Sequence, residues 1–246
     1  MAETKVALIS GANKGIGLET ARQLGKKGYT ILLGARDLSR GQAAVDELKA
    51  DGVQARAVKL DVTSAADIAA AAKLIDSEYG GKLDALINNA GVNFDTTWGK
   101  QGVAGTSLDE LQKTFETNLF AVHALTLALL PALKKAPAAR IVNLSSILGS
   151  LTLHATPGSP IYEMKTLAYN VSKAALNMYT IHLAHELRDT KIKVNSAHPG
   201  WVKTDLGGDA APMEVPDGAK TSVALATLGE DGPTGKYIHL GETLPW

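Results

Sequence analysis

The feature that most constrains this chain is its alternation of short apolar runs with longer helical patterns. The runs at 5–10, 29–34, 54–60, 83–88, 140–145, 191–197 and 236–239 are rich in Val, Ile and Leu, mostly without strict alternation. That pattern marks strands covered on both faces. Helical periodicity fills the intervals at 15–27, 40–51, 64–79, 107–135, 166–190 and 215–228. Strand–helix–strand repetition requires right-handed crossovers and so predicts an α/β fold. The expected form is a doubly wound, parallel, seven-stranded sheet in the order 3-2-1-4-5-6-7, with helices on both faces. No repeat, low-complexity tract or linker interrupts the pattern, and 246 residues suit one domain, read here as 1–246.

Composition removes several classes of function. Lys and Arg number 25 and Asp and Glu 25, so no net charge draws the chain to nucleic acid or an anionic membrane. With no cysteine there is no disulfide, thiolate metal site or cysteine nucleophile. Met-Ala-Glu-Thr-Lys leads straight into the first strand without the apolar region of a signal peptide, so a cytoplasmic location is expected. The longest apolar run, 119–130, is too short to span a bilayer and reads as a buried helix. His182 and His185 lie three apart on one helix but have no third ligand nearby in sequence, so no metal site is expected. Two loop-rich segments, 150–165 and 205–217, are long enough to carry function.

The first strand ends in Ser10-Gly11-Ala12-Asn13-Lys14-Gly15-Ile16-Gly17, and a helix follows. Gly11, Gly15 and Gly17 permit a tight turn and close backbone approach, and the helix N-terminus offers unpaired N–H groups to a pyrophosphate. The second strand ends in Leu33-Gly34-Ala35-Arg36-Asp37. A carboxylate at this point would bind a ribose diol, whereas an arginine suits a 2′-phosphate. Ala35 stands at that point, and Arg36 follows. Lys14 adds a second cation, so the expected cofactor is NADP(H). Two alternatives stay open from the sequence: Lys14 and Arg36 as solvated surface charges, and Asp37 as the partner of Arg36.

At this stage the chain resembles the classical short-chain dehydrogenase/reductase family, and within it the monomeric carbonyl reductases. The resemblance rests on an ordered set of short motifs: the glycine loop at 11–17, Leu60-Asp61-Val62, Asn88-Asn89-Ala90-Gly91, Asn118, Ser145-Ser146, Tyr169-x-x-x-Lys173 and Pro199-Gly200. It implies a Rossmann-type fold. It implies a cofactor site comprising Gly11, Asn13, Lys14, Gly15, Ile16, Gly17, Arg36, Asp61 and Val62 at the adenosine half. Asn89, Ala90, Gly91, Tyr169, Lys173, Pro199, Gly200, Val202 and Thr204 would complete it at the nicotinamide half.

Tyr169 and Lys173 are four apart on a helix, so their side chains share a face. A free phenol with a pKa near 10 is a poor base at neutral pH, and a nearby ammonium is expected to lower that value. In reduction Tyr169 would donate a proton to the carbonyl oxygen as hydride reaches carbon. By resemblance Ser146 is the serine that binds the substrate oxygen, Lys173 also holds the nicotinamide ribose, and Asn118 supports a water chain to the lysine. A helix-interior Asn bonded to backbone is the other reading of Asn118. The implied partner is a small carbonyl or alcohol. Trp98 and Trp201 either line its cleft or pack in the core. A cofactor-binding redox sensor without catalysis, and a dehydratase or epimerase that retains its cofactor, use the same fold.

The stretch between Ser146 and Tyr169 is longer than in many classical members, with the extra residues around 154–165. In oligomeric relatives the following helix forms much of a dimer interface, and monomeric carbonyl reductases cover it with an insertion. The resemblance therefore implies a capped helix face and a monomer; the other reading is that the insert only frames the substrate cleft and leaves the helix face free for a homo-oligomer.

Overall fold

The computed structural model describes residues 4–95 and 102–246. Its strands are β1 (Lys5–Ile9), β2 (Tyr29–Ala35), β3 (Ala55–Lys59), β4 (Ala85–Asn88), β5 (Arg140–Leu144), β6 (Lys193–Ala197), β7 (Tyr237–His239) and β8 (Glu242–Thr243). They form one sheet in the order β3-β2-β1-β4-β5-β6-β7-β8. The pairings from β3 to β7 are all parallel.

The eighth strand corrects the expected count of seven. It pairs antiparallel with β7, His239 opposite Glu242. The connecting residues Leu240 and Gly241 have φ of 46° and 91°. Two consecutive positive φ values are the signature of a type I′ hairpin turn. Both strand residues are exposed, so no apolar run announces them.

The helices are α1 (Gly15–Lys26), α2 (Leu38–Ala50), α3 (Ala65–Glu78), α4 (Leu108–Phe115), α5 (Ala121–Lys135), α6 (Leu151–Ala155), α7 (Leu167–Glu186) and α8 (Val215–Ala226). Side chains of α1, α2 and α8 pack on one face of the sheet against Ala7, Ile9, Ile31 and Leu33. Those of α3, α5 and α7 cover the other, against Val6, Leu8 and Leu32. Successive strand residues thus point into two different cores, which explains why both sets are apolar. The long apolar helix contributes Leu125, Leu129 and Leu133 to the second core, as a buried helix should.

That helix is not continuous. The sequence predicts a single element over 107–135, but Glu116–Phe120 form a π-helical turn between α4 and α5. Such a turn inserts one residue into the helical repeat and redirects side chains locally, and it is frequent at functional sites. Asn118 lies within it.

A buried polar ladder sets α7 against the sheet. Asn88, Asn143 and Ser196 are neighbours in register on β4, β5 and β6. Asn88 donates to Asn143 Oδ1 at 2.8 Å. Asn143 Nδ2 and Ser196 Oγ both donate to Thr180 Oγ1 of α7 at 2.9 Å. Thr180 in turn donates to the Leu176 carbonyl at 2.9 Å. Because unpaired polar groups in a core are costly, this network admits one register of α7 on the sheet.

The insert around 154–165 packs where the capping expectation did not place it. Ile161 joins Leu148 and Tyr169 in a small apolar cluster, with Leu153 and Met164 at its edge. On the outer face of α7, Val171 and Met178 remain 42% and 53% exposed. The insert therefore walls the region of Tyr169 and does not run along the helix face.

Candidate active site

The expected site residues gather at the carboxyl ends of the strands, where loops leave the sheet and helix N-termini point inward. The glycine loop follows β1. Gly11 and Gly15 have φ of 62° and 56°. A Cβ on Gly17 would lie 2.5 Å from Asn89 Nδ2 and 2.7 Å from the Gly11 carbonyl, so only glycine fits. Asn89 Nδ2 donates to the carbonyls of Ser10 and Gly11 at 2.9 and 3.0 Å. Ser10 Oγ accepts from the N–H groups of Asn89 and Ala90, both at 3.1 Å. The loops after β1 and β4 are thereby one unit.

Helix α1 begins without a side-chain cap and without an acidic residue in its first turn. Its leading N–H groups, with Asn13 and Ile16 beside them, form a cradle whose donors and dipole suit a phosphate. Gly15 lies against Thr204, whose methyl would be 3.5 Å from an added Cβ. The segment after β6, Pro199 through Thr204, thus closes over the glycine loop. Gly200 there has a φ of 94°, and Val202 is buried against Gly218 of α8.

Arg36 is exposed at the end of β2. Asp37 is not committed to it: its carboxylate caps α2 by accepting from the N–H groups of Ser39 and Arg40 at 2.9 and 3.1 Å. Lys14 is exposed and ion-paired with Asp205 across the cleft. Asp61 accepts from Thr63 N–H at 3.0 Å, shaping the turn after β3, and Val62 is buried beside it. The Thr63 hydroxyl and N–H hold the Asp61 carboxyl below the usual range.

Tyr169 and Lys173 lie one turn apart on α7, and each is only 5% exposed. The Lys173 ammonium stands 5.6 Å from the centre of the Tyr169 ring and donates to the Leu144 carbonyl at 2.8 Å. The Tyr169 hydroxyl is hydrogen-bonded to Ser146. Ser146 Oγ also accepts from Leu148 N–H at 3.3 Å. Burial pushes the Tyr169 pKa up to about 12, and the Ser146 hydrogen bond works against that rise. Burial pushes Lys173 down to about 8. The expected lowering of the phenol by its lysine is therefore corrected: desolvation dominates, and the one contribution opposing it is the Ser146 hydrogen bond. Ser145 is buried at the end of β5.

Asn118 is fully buried. Its Oδ1 accepts from Val92 N–H at 2.9 Å, and its Nδ2 donates to the Val92 carbonyl at 2.9 Å and to Ser172 Oγ at 3.0 Å. The π turn thus grips the loop after β4 as well as α7. A Cβ on Gly91 would lie 3.5 Å from both Asn118 Oδ1 and Lys173 Nζ, so both groups face the niche above Gly91. Trp201 is 57% exposed and donates to the Gly207 carbonyl at 2.8 Å, at the rim of the cleft. Trp98 lies outside the described residues.

Sequence reasoning missed three residues that shape the site. Gly149 lets the segment after Ser146 approach α7: a Cβ there would sit 2.8 Å from the Lys173 backbone carbon. Asp95 accepts from Tyr169 N–H at 3.1 Å, supplying a cap for α7 from a distant loop. His198 accepts from Ile147 N–H at 3.1 Å. Only His198 carried a signal, as an imidazole between a buried strand and Pro199-Gly200.

Comparison with known proteins gives a consistent result. The family model described as short chain dehydrogenase matches residues 5–214. The chain is 33% identical over 288 residues to a carbonyl reductase (NADPH) 1 of Mus musculus, covering 98% of each. It is 32% identical to short-chain dehydrogenase/reductase 1 of Saponaria officinalis, covering 100% of this chain and 97% of that one. Among solved structures, the NADPH-bound carbonyl reductase from chicken fatty liver superposes with a TM-score of 0.84 at 30% identity, covering 99% of this chain and 100% of that one.

Proposed function

The chain belongs to the short-chain dehydrogenases, and from that premise we propose that it is an NADP(H)-dependent oxidoreductase reducing a ketone or aldehyde to an alcohol, reversibly. We read residues 1–246 as one catalytic domain, soluble and cytoplasmic, acting on a small molecule. The observation that carries the reading is the buried Tyr169, its hydroxyl bonded to Ser146 and its ring facing the Lys173 ammonium.

The cofactor assignment draws on the uncapped start of α1, the glycine-only approach at Gly17, and Ala35 where a ribose-binding carboxylate would stand, with the exposed Arg36 following it. Gly11, Asn13, Lys14, Gly15, Ile16 and Gly17 would hold the phosphates. Arg36 with Lys14 would take the 2′-phosphate, the lysine exchanging Asp205 for it. Asp61 and Val62 would flank the adenine. Asn89, Ala90, Gly91, Pro199, Gly200, Val202 and Thr204 would line the nicotinamide end. NADPH, when bound, supplies the hydride.

The residues of the chain account for the proton. A phenol with a pKa near 12 is fully protonated at neutral pH, the form a donor requires. As negative charge develops on the carbonyl oxygen, Ser146 and Tyr169 donate hydrogen bonds to it, and the proton passes from Tyr169. Lys173, with a pKa near 8, is mostly charged at neutral pH and stabilises the phenolate left behind. Asn118 holds the niche beside Lys173 through which that proton would be replaced.

The test is NADPH oxidation with a panel of ketones, aldehydes and quinones, for the wild type and Tyr169→Phe. Wild type should turn over steadily. The variant should lose about a thousandfold or more in kcat while binding NADPH normally. Substantial turnover by the variant removes Tyr169 from the mechanism. No NADPH consumption by the wild type with any carbonyl refutes the reductase reading.

A further inference from the structure

The backbone ladder between β5 and β6 runs to its last rung at Ser145, whose N–H donates to the Ala197 carbonyl at 2.8 Å. In a parallel ladder the next donor would be the N–H of residue 199, and the one after it the N–H of Ile147. Residue 199 is proline and has no N–H, so the ladder stops there. The Ile147 N–H is left to find another acceptor. It donates to Nδ1 of His198 at 3.1 Å. The Gly200 N–H donates to the same nitrogen at 3.4 Å. An imidazole has replaced a missing rung.

The ring is held firmly. It is 7% exposed and tilted against the His239 ring, with centroids 4.7 Å apart. The backbone of His198 is fixed from β7: its N–H donates to the Ile238 carbonyl at 2.8 Å, and its carbonyl accepts from His239 Nδ1 at 2.9 Å. Both partners of His198 Nδ1 are N–H donors, so Nδ1 carries the lone pair and the proton sits on Nε2. Burial, then the neighbouring His239, push its pKa down to about 3, which keeps this neutral form at working pH.

We propose that His198 is a positioning residue that sets the separation between the two halves of the active site. This rests on the reductase reading given above. Ile147 directly follows Ser146, the residue assigned to the substrate oxygen. Gly200 belongs to the segment assigned to the nicotinamide end of the cofactor. A single nitrogen bonded to both fixes the substrate oxygen's donor relative to the hydride source. Hydride transfer is sensitive to displacements of an ångström or less, so loosening this joint should lower kcat more than substrate binding.

Three substitutions separate positioning from packing. Asparagine carries an acceptor oxygen the same number of bonds from Cα as Nδ1, glutamine carries it one bond further out, and leucine has none. We expect His198→Asn to keep kcat within about threefold of wild type, and His198→Gln and His198→Leu to lose about tenfold to a hundredfold, with smaller changes in KM for the carbonyl substrate. Amide exchange at Ile147, read by NMR, should stay slow in His198→Asn and speed up by about tenfold or more in the other two, as a lost hydrogen bond of typical strength implies. If kcat follows thermal stability across the variants instead of acceptor position, or if His198→Leu keeps full kcat, the proposal is wrong. The exchange measurement needs no turnover: should the wild type reduce no carbonyl, the reductase reading fails by that result, whereas unchanged Ile147 exchange in His198→Leu overturns the joint by itself.

Discussion

Lys173→Met should make the protein more stable and catalytically inert. Methionine preserves the length and much of the volume of lysine while removing its charge. The wild-type ammonium is 5% exposed and donates to the Leu144 carbonyl. Burial lowers its pKa from 10.5 to about 8, which corresponds to about 3 kcal/mol of disfavour for the charged form at neutral pH. Losing the charged hydrogen bond offsets about 1.5 kcal/mol of that. The variant should therefore be more stable at pH 7 by about 1–2 kcal/mol. Between pH 8 and 10.5 the unfolded wild type holds a proton that the folded wild type has released, so wild-type stability rises with pH across that window. About half of the 3 kcal/mol returns by pH 9 and most of it by pH 10, so the advantage of the variant should shrink above pH 8 and reverse before pH 10. Urea unfolding of both proteins at pH 7, 8, 9 and 10 measures this, because other titrating groups are common to both. A variant less stable than wild type at pH 7, or a difference constant from pH 8 to 10, would refute the reasoning. Turnover of the variant should fall by about a thousandfold, the loss expected when the group supporting the general acid is removed.

Two further outcomes are expected. Arg36→Ala should weaken NADPH much more than NADH, shifting preference by roughly tenfold to a hundredfold, since a charge-assisted contact is worth about 1.5–3 kcal/mol; equal losses in the two dissociation constants would assign Arg36 to folding. Gly149→Ala should cost about 1–3 kcal/mol in chemical denaturation, because its Cβ would press to 2.8 Å on the Lys173 backbone, and kcat should fall further than in a surface variant of equal stability.

The strand and helix sequence was readable because strand residues face two cores in turn: Val6 and Leu8 one, Ala7 and Ile9 the other. What escaped were features without a periodic imprint. Glu242–Thr243 form a strand of two exposed residues, specified by a turn rather than by apolar side chains. The π turn at 116–120 leaves the apolar pattern of its helix running on either side. Within the site, Tyr169, Lys173, Ser146 and Asn118 were identifiable from spacing and resemblance, but their surroundings were not. The sequence shows a lysine one turn from a tyrosine; it does not show that both are buried, and burial reverses the expected direction of the tyrosine's shift. Lys14 likewise reads as a free cation, although Asp205, far away along the chain, pairs with it.

Apart from Lys173, inside α7, the residues assigned to chemistry share a structural circumstance: they stand at or beside points where regular backbone hydrogen bonding is interrupted and something other than the local helix or strand must complete it. Helices α2, α3 and α4 are capped by their own Asp37, Ser64 and Ser107. Helix α8 has Pro216 in its first turn, which lacks one of the N–H groups that would need a cap. At α1 the N–H groups have no side-chain cap, and that opening is where an anionic cofactor would bind. At α7 the cap comes from Asp95 on another loop, so the turn carrying Tyr169 is tied to the segment after β4. The π turn carries Asn118, whose amide takes both backbone groups of Val92 from that same segment. The β5–β6 ladder ends at Pro199, and the imidazole of His198 continues it to the residue after Ser146. Regular elements satisfy themselves and need no particular distant residue. Interrupted ones must recruit partners from other loops, and each recruitment fixes one functional group relative to another. A site assembled in this way obtains its geometry from the same hydrogen bonds that close the ends of its scaffold, so substitutions at those joints should change turnover out of proportion to their cost in stability.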